Sequence, residues 1–254
     1  MEKGILEVCV DSVESAICAA VGGADRLELC AGLAVGGLTP SMALYERVRE
    51  CVEIPVHVLL RPRAGDFLYS QEEFEVLLRQ ARAFREAGAD ALVVGCLTRE
   101  GCLDRERLGR LAEAAAGRKM TLHRAFDMCE DLVKALEDAK KLGVHTILTS
   151  GGYGRAHDGV EMLRCLHEQA GPVDIMAGAG VDAKEILFLH RHAGLTSFHM
   201  SGKKRVESGM IYRNPRVNMG LPGLSEYEGW QTDSEEVRQA KEALGQAVCC
   251  ETER

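Results

Sequence analysis

A chain of 254 residues, 46% hydrophobic and 28% charged, buries about three quarters of its unfolded surface and needs no staples, which excludes disorder. A formal net charge of -8, with no basic run longer than Lys203-Lys204-Arg205, excludes nucleic acid as the main partner. No charged-then-apolar leader precedes the first strand-like run, and no apolar run approaches the roughly 20 residues of a bilayer span, so a cytoplasmic protein with no membrane partner is expected.

Short β-branched runs then alternate with amphipathic helices. Ile5 to Val10 reads as the first strand and Val13 to Val21 as its helix. Arg26 to Ala31 follows as a strand, with a helix from Ser41 to Val52 opened by the capping sequence Thr39-Pro40-Ser41. Strands at Pro55–Leu60, Ala91–Leu97 and Met120–Ala125 precede helices at Gln71–Ala87, Asp104–Ala116 and Glu130–Leu142. Strands at Thr146–Thr149 and Asp174–Ala177 precede helices at Gly159–Gln169 and Ala183–His192, and Thr196–Met200 is the eighth strand. Gly88, Gly143, Gly171 and Gly194 repeat one helix-stop signal.

Eight strand–helix units imply a parallel sheet with right-handed crossovers. They close as a TIM-type (β/α)8 barrel more naturally than as an open doubly wound sheet. Residues 1–254 then form one domain, with the barrel core at about 4–204 and a C-terminal extension at 205–254. The extension reads as an irregular excursion from Arg205 to Thr232, followed by a final helix, Ser234 to Ala247, with a partial capping box at Ser234. That helix is either the eighth of the barrel or a packing element for a neighbouring subunit. The excursion holds the only tryptophan, Trp230, which makes it a candidate homo-oligomer interface.

In such barrels the site lies at the carboxyl ends of the strands, and alternation assigns the inward side chains. Leu27 and Leu29 suit the helix-facing side, which turns Glu28 and Cys30 into the barrel, and the same reasoning places Glu7 and Cys9 beside them. Two inward carboxylates are costly unless paired or used. Arg61 or Arg63, at the end of the third strand, would neutralise them, or the group would serve as catalytic acid and base. His123 and His199 stand near the ends of the fifth and eighth strands. They read as catalytic candidates with Glu7, Glu28 and Arg61, or as satisfied core residues. Ser150-Gly151, Gly178-Ala179-Gly180 and Ser201-Gly202 close the last three strands. With Arg63 they are candidate anion-binding residues, the other reading being tight-turn glycines. No lysine sits inside an expected strand, which disfavours a Schiff-base aldolase.

Ten cysteines without a C-x-x-C pair, in a large domain with no leader, point to reduced thiols. Cys249-Cys250 is a vicinal pair that reads as redox or metal chemistry or as a plain polar tail.

These motifs together resemble the CutC family. The resemblance rests on Leu6-Glu7-Val8-Cys9, Arg26-Leu27-Glu28-Leu29-Cys30 and Gly36-Gly37-Leu38-Thr39-Pro40-Ser41. It continues through His57-x-x-x-Arg61-Pro62-Arg63-Ala64-Gly65-Asp66-Phe67-x-Tyr69, His123-Arg124-Ala125-Phe126-Asp127, Leu148-Thr149-Ser150-Gly151-Gly152 and His199-Met200-Ser201-Gly202. It spans about residues 4–204 and implies a TIM-type barrel, a cytoplasmic location and a part in copper homeostasis. Cu(I) prefers thiolate and thioether ligands, so Cys9 and Cys30 become the candidate metal ligands, with buried small hydrophobes as the plain alternative. Two functions follow as expectations, and whether the protein is an enzyme stays open. One is copper handling with Cu(I) as cofactor or ligand. The other is acid/base chemistry on a small phosphorylated or carboxylated substrate at the barrel mouth.

Overall fold

The structure is a computed structural model that describes residues 4–217, 219 and 225–249. Eight parallel strands close a barrel in chain order: β1 (Ile5–Val10), β2 (Arg26–Leu29), β3 (Val56–Leu59), β4 (Ala91–Val94), β5 (Lys119–Leu122), β6 (Thr146–Thr149), β7 (Asp174–Ala177) and β8 (Ser197–Met200). The helices between them are α1 (Val13–Val21), α2 (Met42–Cys51), α3 (Gln71–Glu86), α4 (Arg105–Ala115), α5 (Leu132–Lys141), α6 (Val160–Gln169) and α7 (Ala183–Ala193). The expected fold class is the observed one.

Local chemistry starts most of these helices. The side chains of Ser12, Ser41, Ser70, Asp104, Asp131 and Asp182 each accept a first-turn N–H, and Ser70 completes a capping box with Glu73. Alternation sorts the strands. Leu6, Val8 and Val10, Leu27 and Leu29, and Val56 and Val58 belong to the large core that the strands share with the helices. Cys30, Leu59 and Val93 form a separate small cluster inside the barrel.

Several strands end earlier than their sequence suggests. Beyond β5, Ala125 N–H is taken by the His123 side chain and Phe126 N–H by the His123 carbonyl, so the chain coils into a 3-10 turn at Phe126–Met128. The excursion after β8 is more regular than expected. β9 (Lys203–Glu207) and β10 (Glu228–Thr232) pair as an antiparallel ribbon, and the Lys203 ammonium and Arg205 guanidinium lie 5.0 and 5.7 Å from the Trp230 ring centre. Residues 218 and 220–224 of that segment lie outside the described residues, as does Cys250, so of the vicinal pair only Cys249 is described, exposed at the end of the last helix.

That helix, α8 (Ser234–Cys249), packs between α7 and α1 and completes the outer ring. Its start is capped by Asp233, whose carboxylate accepts Glu235 N–H at 3.0 Å, rather than by Ser234. The close approach of α8 to α1 depends on Gly22. A Cβ there would stand 2.6 Å from Val237 Cβ and 2.7 Å from the Ser234 carbonyl oxygen. Gly22 has ordinary right-handed helical torsions, where alanine normally stabilises by about 0.4–1 kcal/mol. The clash reverses that sign. Gly22→Ala is expected to destabilise by about 1–3 kcal/mol in urea unfolding, and a stabilised variant would show that α8 does not bear on α1.

Candidate functional site

Strand register builds the centre of the site. Glu7 on β1 is paired level with Arg26 on β2 and with His199 on β8, so three ionisable groups on adjoining strands share one interior layer. Glu7 is fully buried. Arg26 Nε donates to Glu7 Oε2 at 2.6 Å, and His199 Nδ1 donates to Glu7 Oε1 at 2.8 Å. His57 Nδ1, from β3, lies 3.3 Å from Glu7 Oε2. Burial pushes the Glu7 carboxyl up, but Arg26, His199 and His57 outweigh it and hold it well below the usual carboxylate range.

One layer nearer the mouth, Glu28 Oε2 sits 3.5 Å from His199 Nδ1 and makes no hydrogen bond. Burial, opposed by His199 and Arg26 and reinforced by Glu7, pushes Glu28 up to about 7. Burial pulls His199 down, yet Cys9, Glu28 and Glu7 around it hold it well above the ordinary histidine value. The interior thus holds two cations, Arg26 and His199, one firm carboxylate in Glu7, and one carboxyl poised between its two forms.

A cavity of about 160 Å³ opens above this layer. Cys9, Glu28, Cys30, Arg61, His123 and His199 line it, so six of the seven expected catalytic and metal residues converge there, with Glu7 directly beneath. Leu33, Leu59, Phe67 and Leu148 supply its apolar walls. Arg61 does not neutralise the carboxylates. Its Nη1 donates to the carbonyls of Val35 and Gly37 at 3.1 Å each and its Nη2 to that of Gly65 at 2.7 Å, and its guanidinium lies 5.0 Å from the Phe67 ring centre. The guanidinium that pairs with Glu7 is that of Arg26, on the same face of β2 as Glu28.

His123 is placed by Gly95 at the end of β4, where a Cβ would stand 2.4 Å from the ring. Burial, with the Arg61 charge, pushes His123 down to about 3, so its imidazole is neutral. Burial also pushes the Cys30 thiol far above its ordinary range, and the thiol donates to the Val10 carbonyl at 3.5 Å.

The other expected anion-binding residues lie away from the cavity lining. At the end of β6, Asp127 accepts the N–H groups of Ser150 and Gly152 and the hydroxyls of Thr149 and Ser150, with Arg124 paired to it at 2.7 Å. Gly151 has a positive φ and packs against the backbone of Gly159. Gly178 leaves room for Leu148, and Gly180 faces Arg155. Ser201 and Gly202 offer their carbonyls to Thr232 and Asp233. Arg63 lies outside the mouth, paired with Glu73 and Asp66. Asp127 and His57 were present in the sequence motifs, but nothing in their spacing announced their partners.

Glu7, Glu28 and His199 also bring one ligand atom each within 4.8 Å of one another. With Arg26 and a protonated His199 already on the carboxylates, that group carries its own counter-cations.

The fold and site define a (β/α)8 barrel whose mouth combines thiols, a buried ion network and neutral histidine. The chain belongs to the CutC family, whose family model matches residues 4–204. It is 43% identical over 241 residues to a CutC family protein of Porphyromonas gingivalis, covering 94% of this chain and 97% of that one. It is 44% identical over 236 residues to the human copper homeostasis protein cutC homolog, covering 92% and 86%. The crystal structure of CutC from Streptococcus agalactiae superposes with a TM-score of 0.73 at 29% identity, covering 78% of this chain and 98% of that one. A thiamine phosphate pyrophosphorylase from Pyrococcus furiosus, at 14% identity and a TM-score of 0.57 over 96% of each chain, shares the fold alone.

Glu28 and Glu7 affect stability in opposite senses. Glu28, raised from about 4.5 to about 7, contributes stability that is fully present below the lower value and lost as pH rises through the upper one. The contribution of Glu7 is present above the ordinary carboxylate range and lost only as pH falls through its depressed value. Glu28→Gln removes the first effect. The wild type should therefore lose stability relative to Glu28→Gln, by on the order of a few kcal/mol, between about pH 5 and about pH 8. A difference in melting temperature that stays constant across that range would refute the assignment of Glu28.

Proposed function

We propose that the protein takes up Cu(I) as cargo through Cys9 and Cys30 and serves copper handling in the cytoplasm. The convergence of these two thiols, from neighbouring strands, on one mouth cavity carries the reading. Thiolates suit Cu(I), and the cationic His199 stands beside Cys9. The names of the human and mouse relatives, copper homeostasis proteins, support the role. Every cysteine from Cys9 to Cys165 carries an unbridged thiol, as suits a reducing compartment, and no helix among the described residues is long and apolar enough to cross a membrane. Ile211 and Tyr212, exposed between β9 and β10, support a contact between subunits there.

Because Cys30 holds its proton strongly, copper must displace that proton to bind. Titration of the reduced protein with Cu(I) against a competing chelator should give one-to-one binding, with affinity rising about tenfold per pH unit for each proton released. The Cys9→Ser/Cys30→Ser variant should bind at least about a hundredfold more weakly, the loss of both soft ligands. Binding that survives in the double variant places copper on other residues.

A further inference from the structure

Five buried side-chain atoms among the described residues lack a hydrogen-bond partner, and three of them belong to residues lining the mouth cavity: Glu28 Oε2, Arg61 Nε and His123 Nε2. Unpaired buried polar atoms are costly and rare, and three on one small cavity call for a complementary group. The character of each atom is set by its surroundings. The Ala125 N–H donates to His123 Nδ1 at 3.1 Å, so the neutral ring carries its hydrogen on Nε2 and offers a donor there. Arg61 spends Nη1 twice and Nη2 once on backbone carbonyls, while its buried Nε–H makes no hydrogen bond and stands as an unused donor. Glu28 Oε2 is an acceptor.

Two donors, one of them cationic, call for an anionic oxygen, and the acceptor calls for a hydroxyl. The apolar walls, Leu33, Leu59 and Phe67, suit a short carbon body, and about 160 Å³ is well below the roughly 300–1,000 Å³ of pockets for drug-sized ligands. We propose that the mouth cavity is a binding site for a small hydroxycarboxylate, its carboxylate on Arg61 Nε and His123 Nε2 and its hydroxyl on Glu28. The reading is independent of copper, since none of its three contacts is a thiol.

The test uses the full-length, reduced, copper-free protein titrated with glycolate, acetate and inorganic phosphate. The nitrogen resonance of His123 Nε2 is followed by NMR and assigned by its absence in His123→Gln. Glycolate should shift that resonance saturably. Acetate, which lacks the hydroxyl, should bind about tenfold more weakly, the worth of one hydrogen bond to a buried carboxyl. In Glu28→Gln the preference for glycolate over acetate should shrink. The unmodified protein decides the matter even if that variant folds poorly. No shift of His123 Nε2 with glycolate overturns the proposal, and so does phosphate binding more tightly than glycolate, which would mark a site for simple anions.

Discussion

The interior of this barrel is arranged around one carboxylate that has no contact with water. Removing an ion of this kind from solvent costs several kcal/mol, and the cost is offset only where its partners are well placed. Glu7 obtains them from the strands on either side, Arg26 on β2 and His199 on β8, with the His57 ring of β3 3.3 Å away. The Glu7–His199 bond crosses the seam at which the last strand meets the first, so closure of the barrel and neutralisation of Glu7 are one event. A slip of one residue in either ladder would turn an apolar side chain toward Glu7 and leave the charge alone. The ion network therefore acts on register as well as on charge.

The consequences run upward from that layer. Glu7 and Arg26 nearly cancel, which leaves His199 as the cation facing the mouth and Glu28 as the carboxyl beside it. Burial raises Glu28 and the nearby Glu7 carboxylate adds to the rise, whereas Glu7 has Arg26 and His199 to hold it down, which is why Glu28 titrates near neutrality while Glu7 does not. On the opposite wall Arg61 is fixed by three carbonyls, and burial, helped by the Arg61 charge, keeps His123 neutral. The mouth is thus divided into a side of thiols, a carboxyl and the His199 cation from β1, β2 and β8, and a side of N–H donors beyond β3 and β5. Soft metal chemistry suits the first side and oxygen-rich ligands suit the gap between the two.

Much of this was legible in the sequence, for a physical reason. A strand that is apolar on one face and polar on the other can be oriented by period two alone, and that places Glu7, Cys9, Glu28 and Cys30 inward without knowledge of the fold. Partners across the barrel are a different matter. Arg26 shared the inward face with Glu28 in plain view, yet its pairing with Glu7 depends on the β1–β2 register, which no local pattern encodes. Asp127 is harder still, because its acceptors are used by backbone N–H groups more than twenty residues away. The same holds for the ribbon of β9 and β10. Lys203–Glu207 and Glu228–Thr232 have little alternation of their own, and their pairing is fixed by the ladder and by cations over Trp230. Glycines read for anion binding could not be told from glycines needed for packing until their neighbours were known, as Gly178 against Leu148 shows.

The distribution of unsatisfied atoms completes the picture. Natural cores leave few buried polar atoms without partners, and those that persist are held by stability generated elsewhere. Here that stability comes from the apolar layer between strands and helices, which runs continuously from Leu6 on β1 to Phe198 on β8 and on to Leu244 of α8. Inside the barrel the apolar cluster is reduced to Cys30, Leu59 and Val93, and polar groups share the rest with single apolar side chains such as Leu148 and Met176. A barrel selected for stability alone would fill its mouth with branched aliphatics. This one keeps two thiols, a half-titrated carboxyl and unpaired donors around an open space, so the mouth gives up packing that the outer core can supply without it. Such a division ties the helix-facing residues to folding and leaves the residues at the mouth, on β1, β2 and β8 and just beyond β3 and β5, to the ligands proposed above.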